Sequence, residues 1–391
     1  MTPASGGAAE PSPGLYLHVP FCARRCPYCD FDFEVGRVPQ RERFVAGLRR
    51  ELAARRDELA RLQPRTLYVG GGTPSLLGAQ GLAELWALLR EVVALDRLHE
   101  ATVELNPEHV DAAMVAALAA CGFDRVSLGV QSLQPAALRQ LGRVHTPQQA
   151  LAAVRTCVAA GLSTSVDVIV GWPGQDAALL EADLAPLVEL GLAHASIYAL
   201  TIDDPGGERR GAPWRTLVRR GLRRMPDDDV QAELLAHTES VLARAGLRHY
   251  EVASYGRAGV RARHNCAYWT WQEYVGLGTS AASARYDDDG AVTRRDNPRT
   301  LAAWAQGASP SIERLPPEAA AREGLWLGLR LLEGLDEAAF ARRFGAAARA
   351  CDGGITAAIA RGDLERDDGR LRVVPARWLH HDAIAARLLR E

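Results

Sequence analysis

The chain contains no lysine: all 46 of its basic residues are arginine, set against 48 Asp and Glu for a formal net charge of −2. Balanced charge excludes the basic footprint of a nucleic-acid binder. Exclusive arginine usage accompanies abundant Ala, Leu and Gly and reads as GC-rich coding, so arginine number alone carries no argument for phosphate binding. No apolar run is long enough to span a bilayer. Residues 1–13, MTPASGGAAEPSP, lack both a basic start and an apolar stretch. They read as a loose, disordered tail rather than a secretory leader, and the cytoplasm is the expected compartment. The 7 cysteines are an odd number, and Cys121, Cys157, Cys266 and Cys351 stand without pair spacing. That excludes a disulfide scaffold and fits a reducing compartment. Neither a phosphate-binding loop nor a dinucleotide-binding glycine fingerprint is found.

What is present is a repeated alternation. Strand-like runs at residues 15–19, 66–69, 102–105, 126–130, 165–170 and 196–200 are separated by Ala/Leu/Arg/Glu-rich segments of helical period, such as 43–62 and 79–93. Strands alternating with helices predict an α/β fold with a parallel sheet, because parallel neighbours need crossover connections. The runs end in VGGGTP, ELNPE, SLGVQS, DVIVGWPG and YALT. Ligands of such folds gather at the carboxyl ends of the strands. From about residue 201 to 229 the alternation stops, and seven arginines fall between Arg209 and Arg224. Two readings stay open there: a solvated connection, or a patch for a carboxylate-bearing ligand. Beyond it, a helix is expected over 229–245, an aromatic and Gly-rich stretch over 250–286, a helix near 298–306, and helices with a short strand pair near 364–374. The expected division is a barrel over 14–240, a bridging segment over 241–310 and a helical or winged region over 311–391.

Cys22, Cys26 and Cys29 stand as Cys-x-x-x-Cys-x-x-Cys directly after the first strand. Zinc wants four donors, and Asp30, Phe31, Asp32 and Phe33 supply no local fourth thiolate or imidazole. Three thiolates suit a cubic [4Fe–4S] cluster, which normally takes a thiolate on every iron and here would keep one iron open. An open iron can take a small molecule with an amine and a carboxylate, such as S-adenosylmethionine (SAM). Gly70-Gly71-Gly72-Thr73-Pro74 follows the second strand and lets backbone approach a ligand closely; alone it is also an ordinary tight turn. Glu104 ends the third strand, where an acid can accept both hydroxyls of a ribose. Gln131, Arg143 and Asp167 follow later strands in similar places, and each alone could be a surface or capping group. His264 heads HNCAYW. An imidazole there is either structural or an axial haem ligand, with aromatics to stack on a porphyrin.

The ordered motifs YLHVPFCxxxCPYCDF, GGGTPS, VELNPE, RVSLGVQS, LGRVHT, DVIVGWPGQ, YALTI and HNCAYW, spread over about two-thirds of the chain, resemble the radical SAM superfamily. Within it they are similar to the oxygen-independent coproporphyrinogen III oxidase-like group and its haem-chaperone branch. The resemblance implies a partial (β/α)6 TIM-like barrel with a mixed α+β C-terminal region, and a [4Fe–4S] cluster on Cys22, Cys26 and Cys29. It implies SAM contacts by Tyr16, Tyr28, Gly71, Gly72, Thr73, Glu104, Gln131, Arg143, Asp167 and Ala199. It also implies haem bound through His264, with Cys266 a weaker candidate.

Two departures from the oxidase point to the chaperone branch. Phe31 stands where the oxidase has a further cysteine, and only 21 residues precede Cys22. Two departures from the chaperone pattern touch the haem pocket: GLGTSAAS at 276–283, and Asp203-Asp204-Pro205-Gly206-Gly207 after the sixth strand. The function so implied is to carry haem to an apo-haemoprotein, a cytochrome or a membrane respiratory enzyme, with a homodimer left open. The alternatives are a SAM-cleaving oxidoreductase acting on a porphyrin-type substrate, as in coproporphyrinogen III oxidase, or a related radical SAM methylase.

Overall fold

The computed structural model describes residues 12–35, 40–202 and 213–390. Most of the expected tail, the 203–207 run and Arg209 and Arg210 therefore lie outside the described residues. Strands β1 (Gly14–Val19), β2 (Thr66–Gly71), β3 (Glu100–Leu105), β4 (Arg125–Gln131), β5 (Ser163–Val170) and β6 (His194–Ala199) lie side by side in chain order, each parallel to the next. Between them run helices including α1 (Arg41–Ala54), α2 (Gly78–Arg90), α3 (Ala112–Cys121), α4 (Pro147–Ala159) and α5 (Ala177–Glu189). Right-handed crossovers taken always in one direction put every helix on one face. The strands record this with a period of two. Leu15, Leu17, Val103, Leu128, Val166 and Ile197 are buried in one core with Leu48, Leu85 and Leu184 from the helices.

The opposite face is polar and aromatic, and much of it is satisfied internally. Glu100 accepts from the backbone N–H groups of Arg263 (2.8 Å) and His264 (3.0 Å), capping helix α6 (Arg263–Trp269). His194 bonds Ser165 Oγ at 2.8 Å and the Tyr250 hydroxyl at 2.7 Å. This is the inner wall of the partial barrel. The expected strands match β1 to β6 within two residues at each end.

Segment 241–315 extends the same sheet at both edges. β7 (Arg248–Glu251) and β8 (Ser254–Gly256) pair antiparallel beyond β6. On the other side β9 (Tyr274–Leu277) pairs parallel with β1, followed by an antiparallel run of β10 (Ala282–Tyr286), β11 (Val292–Asp296) and β12 (Ser311–Leu315). Among the described residues the result is one 12-stranded sheet. The helix expected over 43–62 divides at Arg55. Its buried guanidinium donates to Gly276 O (2.7 Å) and Ser283 Oγ (3.1 Å), tertiary bonds that override local helix preference.

A second core gathers Trp271, Leu325, Phe340, Phe344, Ile355 and Leu371, built on helix α7 (Pro317–Gly328). A hairpin of Leu364–Asp367 and Arg370–Val373 joins Leu335–Asp336 in a small antiparallel sheet. The Trp271 indole N–H donates to Gly324 O at 2.7 Å and ties this unit to the long sheet. Among the described residues, no helix is long and apolar enough to cross a membrane.

Candidate functional site

Beyond the carboxyl end of β1 the chain enters the cysteine loop. Phe21–Cys22 pairs with Glu34–Val35, and Cys29 N–H donates to Cys26 O at 3.1 Å, so the loop is closed at its base and turned at its tip. The glycine turn after β2 is stitched to it. Gly72 N–H donates to Val19 O (2.8 Å) and Thr73 N–H to Phe21 O (2.7 Å). The glycines are needed for that contact. A Cβ on Gly71, whose φ is +104°, would meet the His18 ring at 2.6 Å, and one on Gly72 would meet Phe21 O at 2.6 Å. Thr73 Oγ1 donates to Cys22 Sγ at 3.6 Å.

Cys22, Cys26 and Cys29 are half-buried free thiols on the wall of a cavity of about 440 Å³ at the carboxyl ends of β2 to β6. That is within the range of small-ligand sites. Tyr28, Gly71, Gly72, Thr73, Glu104, Gln131, Arg143, Asp167 and Ala199 line the same cavity. Residues from six strands and the loops that follow them thus line one cavity.

The donor set fits a cluster better than a single ion. Among the described residues no three His, Cys, Asp or Glu side chains converge on one metal position, as a tetrahedral ion requires. A cubic cluster asks for one thiolate at each of several separate corners. Burial pushes Cys22 up to about 12 and Cys29 up to about 11, with the neighbouring thiols adding to it. Thiols so placed keep their protons until a metal takes the charge.

The rest of the wall is arranged to meet a polar ligand. Glu104 accepts from the Tyr68 hydroxyl (2.7 Å) and from Gly71 N–H (3.2 Å). Burial, with repulsion from Asp167 added, pushes it up to about 7. Asp167 accepts from Ser127 Oγ at 3.1 Å, and burial raises it to about 6. Arg143 is anchored by Asn106 Oδ1 (2.7 Å) and Gly129 O (2.8 Å). Gln131 holds φ at +66°, a left-handed conformation rare outside glycine, at an irregularity in the β4–β5 register that turns its side chain to the cavity.

Two of the expected site residues lie off this cavity. Tyr16 does not line this cavity: it lies in mid-strand, tilted against Tyr68 with ring centroids 6.2 Å apart and bonded to His18 Nδ1 at 3.0 Å. It lines a second cleft instead. His264 is 1% exposed, and both ring nitrogens are engaged, Nδ1 with Thr66 Oγ1 (2.9 Å) and Nε2 with the Tyr268 hydroxyl (2.7 Å). Burial pushes it down to about 3. In this arrangement it offers no lone pair to an iron. Cys266 is half-buried on α6, its thiol pushed up to about 12 by burial.

Among the described residues, no arginine of the patch lines the cavity. Arg223 stacks over Trp214 at 3.7 Å, and Arg215 donates to Ile202 O at 3.3 Å. Sequence reasoning missed Tyr68, Asn106, Ser127 and Tyr198. The signal for Tyr68 and Ser127 was their place on the polar side of the two-residue alternation.

Residues 16–185 match the family model for the radical SAM superfamily, and residues 315–379 match that for the HemN C-terminal domain. The chain is 36% identical over 387 residues to the heme chaperone HemW of Mycobacterium tuberculosis, covering 96% of this chain and 94% of that one. It is 33% identical to HemW of Escherichia coli, covering 76% of each. The solved structure of coproporphyrinogen III oxidase (HemN) from Escherichia coli, described as a radical SAM enzyme, superposes with a TM-score of 0.79 at 21% identity, over 97% of this chain and 90% of that one. That likeness extends the fold through the C-terminal unit.

Proposed function

This chain belongs to the HemW family within the radical SAM superfamily, and from that premise we propose that it is a cytoplasmic haem chaperone that holds a [4Fe–4S] cluster and SAM and delivers haem to an apo-haemoprotein. The observation that carries the reading is full-length similarity to heme chaperones, with a three-cysteine cavity that has, among the described residues, no fourth thiolate on its wall. Cys22, Cys26 and Cys29 would hold the cluster, which when bound supplies one-electron chemistry and an open coordination site.

The other roles belong to the chain's own residues. Backbone at Gly71 and Gly72 presents polar groups to the SAM amine. Glu104 accepts ribose hydroxyls once it has lost its proton, and Tyr68 orients it. Arg143, fixed by Asn106, supplies positive charge for the SAM carboxylate. The loop from Cys22 to Phe33 and the mouth residues Tyr198 and Thr201 enclose the ligand. The recipient is an apo-cytochrome or a membrane respiratory enzyme, and a dimer would bring two cysteine loops into one assembly.

The test is anaerobic reconstitution followed by haem titration. A Soret shift that saturates near one haem per chain is expected; no change in the haem spectrum refutes the chaperone. One observation favours a second reading. Nearly all the residues proposed for SAM, from the cysteine loop to Glu104, line one cavity, which suits a SAM-cleaving oxidoreductase on a porphyrin-type substrate. Dithionite-dependent conversion of coproporphyrinogen propionates to vinyls would establish it.

A further inference from the structure

A groove of about 310 Å³ opens on the outer face of the sheet extension. Its roof is the short helix Arg56–Leu62, through Glu58, Arg61 and Leu62, and its floor is β10 and β11, through Arg285, Thr293 and Arg295. Strand register fixes that floor. Arg285 stands opposite Thr293, Ser283 opposite Arg295, and Arg295 in turn opposite Ile312 of β12. Residues paired across strands share a face. Tyr286 and Arg294, one position along, line the cleft of Tyr16 on the other face. Glu273 and Tyr274 close the groove beside Gly14, at the amino end of β1. The groove therefore lies at the end of the barrel away from the cysteine loop.

Three arginines, from a helix and two strands, thus come to one groove, and their charges are not equally matched. Arg285 donates to Asp287 at 2.8 Å. Glu58 is taken up by Arg55, which reaches it through Nε (2.7 Å) and a terminal nitrogen (3.0 Å). The polar neighbours are engaged as well: Ser283 Oγ accepts from Arg55 (3.1 Å) and from Gly276 N–H (3.0 Å), and Thr293 donates to Asp287 at 2.8 Å. Glu273, the other carboxylate of the lining, acts on Arg285. Among the described residues neither Arg61 nor Arg295 has a carboxylate within ion-pair distance. Arg295 Nε is buried with no hydrogen-bond partner. Burial disfavours its charge, and the neighbouring Arg55 adds to this.

A guanidinium held half out of water beside another is stabilised by an oxyanion that can accept its N–H groups in pairs. A tetrahedral phosphate has oxygens for two guanidinium groups arriving from different directions, whereas a carboxylate offers two in one plane. Leu62, Val275 and Ile312, the last 60% exposed, add an apolar surface next to the charges. We propose that this groove is a phosphate site, holding a small phosphate ester between Arg61 and Arg295 with its organic part against Leu62 and Ile312. The site is separate from the cysteine cavity and does not depend on what that cavity binds. When filled, it would fasten the helix Arg56–Leu62 to β11.

The experiment measures binding of three probes to the cluster-reconstituted full chain at constant ionic strength: inorganic phosphate, glycerol 3-phosphate, and vesicles of phosphatidic acid in phosphatidylcholine. Calorimetry reads affinity and thermal unfolding reads stabilisation, for wild type, Arg295→Gln and Arg61→Gln. Iron content and SAM affinity are measured on each. Glycerol 3-phosphate is expected to bind at one per chain, more tightly than inorganic phosphate, and to raise the melting temperature. Arg295→Gln should weaken it by about tenfold or more, the usual loss of hydrogen bonds to a charged group, and Arg61→Gln by a few-fold. Both variants should keep wild-type iron content and SAM affinity. Arg61 is exposed on the last turn of its helix, so its replacement does not put folding at risk. No saturable binding of either free phosphate compound overturns the proposal, as does wild-type affinity in both variants. Binding to the vesicles alone would assign the arginines to a lipid headgroup and overturn the small-ester site.

Discussion

Replacing Glu104 with glutamine is expected to make the chain more stable and a worse binder of SAM at the same time. Burial, reinforced by Asp167, raises its pKa from 4.5 to about 7. A carboxyl whose folded value is raised holds its proton more tightly folded than unfolded. Its ionisation therefore removes stability as pH climbs from about 4.5 to about 7. Each unit corresponds to about 1.36 kcal/mol, so the full penalty is roughly 3 kcal/mol above pH 7. That is an upper figure, since Glu104 keeps some contact with the open side of the cavity.

Glutamine keeps an oxygen for the Tyr68 hydroxyl and carries no charge. Urea unfolding of the cluster-free chain at pH 5 and pH 8 should show the Glu104→Gln advantage open with pH, from small to between about 1 and 3 kcal/mol. SAM affinity at pH 8 should fall by about tenfold or more, the usual worth of a hydrogen bond to a charged group. A variant less stable than wild type at pH 8, or a difference that does not change with pH, refutes the reasoning.

Other substitutions test other parts. Cys26→Ala should lose the brown colour and most bound iron on anaerobic purification; retention of about four irons per chain, as the cluster formula requires, contradicts the thiolate assignment. Gly72→Ala should lower cluster occupancy without unfolding the sheet, because its Cβ would press on Phe21 O at 2.6 Å and move the cysteine loop; iron and sulfide analysis reads this directly. Tyr68→Phe removes one donor to ionised Glu104, worth about 1.5–3 kcal/mol, and should move the pH midpoint of SAM binding upward by about 1–2 units. Glu51→Ala leaves the Trp304 indole, Asn297 and Gly278 donors without their acceptor. It should reduce unfolding free energy by about 3–5 kcal/mol, the usual loss when one member of a buried charged network is removed.

Much of the barrel and of the cysteine cavity was legible because both depend on short-range signals. The two-residue alternation in VSLGVQ and SVDVIV separates helix-facing valines from Ser127 and Asp167, so β4 and β5 could be read within two residues. The motif order also placed Cys22, Gly71, Glu104, Arg143 and Ala199 at one rim. What escaped reading depends on partners distant in the chain. Arg55 breaks a helix because of Gly276 and Ser283, more than two hundred residues away. Glu100 is an ordinary strand acid until the N-terminus of α6 meets it. His264 reads as an available imidazole until Thr66 and Tyr268 take both nitrogens. Nothing local in Tyr274, Tyr286 and Trp326 announces that three separate elements turn them toward one cleft.

The account is tested most directly by haem transfer. The cluster-reconstituted chain is loaded with haem and SAM under anaerobic conditions, then mixed with an apo-cytochrome, while haem absorbance and 5′-deoxyadenosine are followed together. Haem should move to the recipient with no stoichiometric release of 5′-deoxyadenosine. Haem that stays on the chain, alongside SAM cleavage that tracks loss of propionates from added coproporphyrinogen, would identify an oxidase and contradict the chaperone.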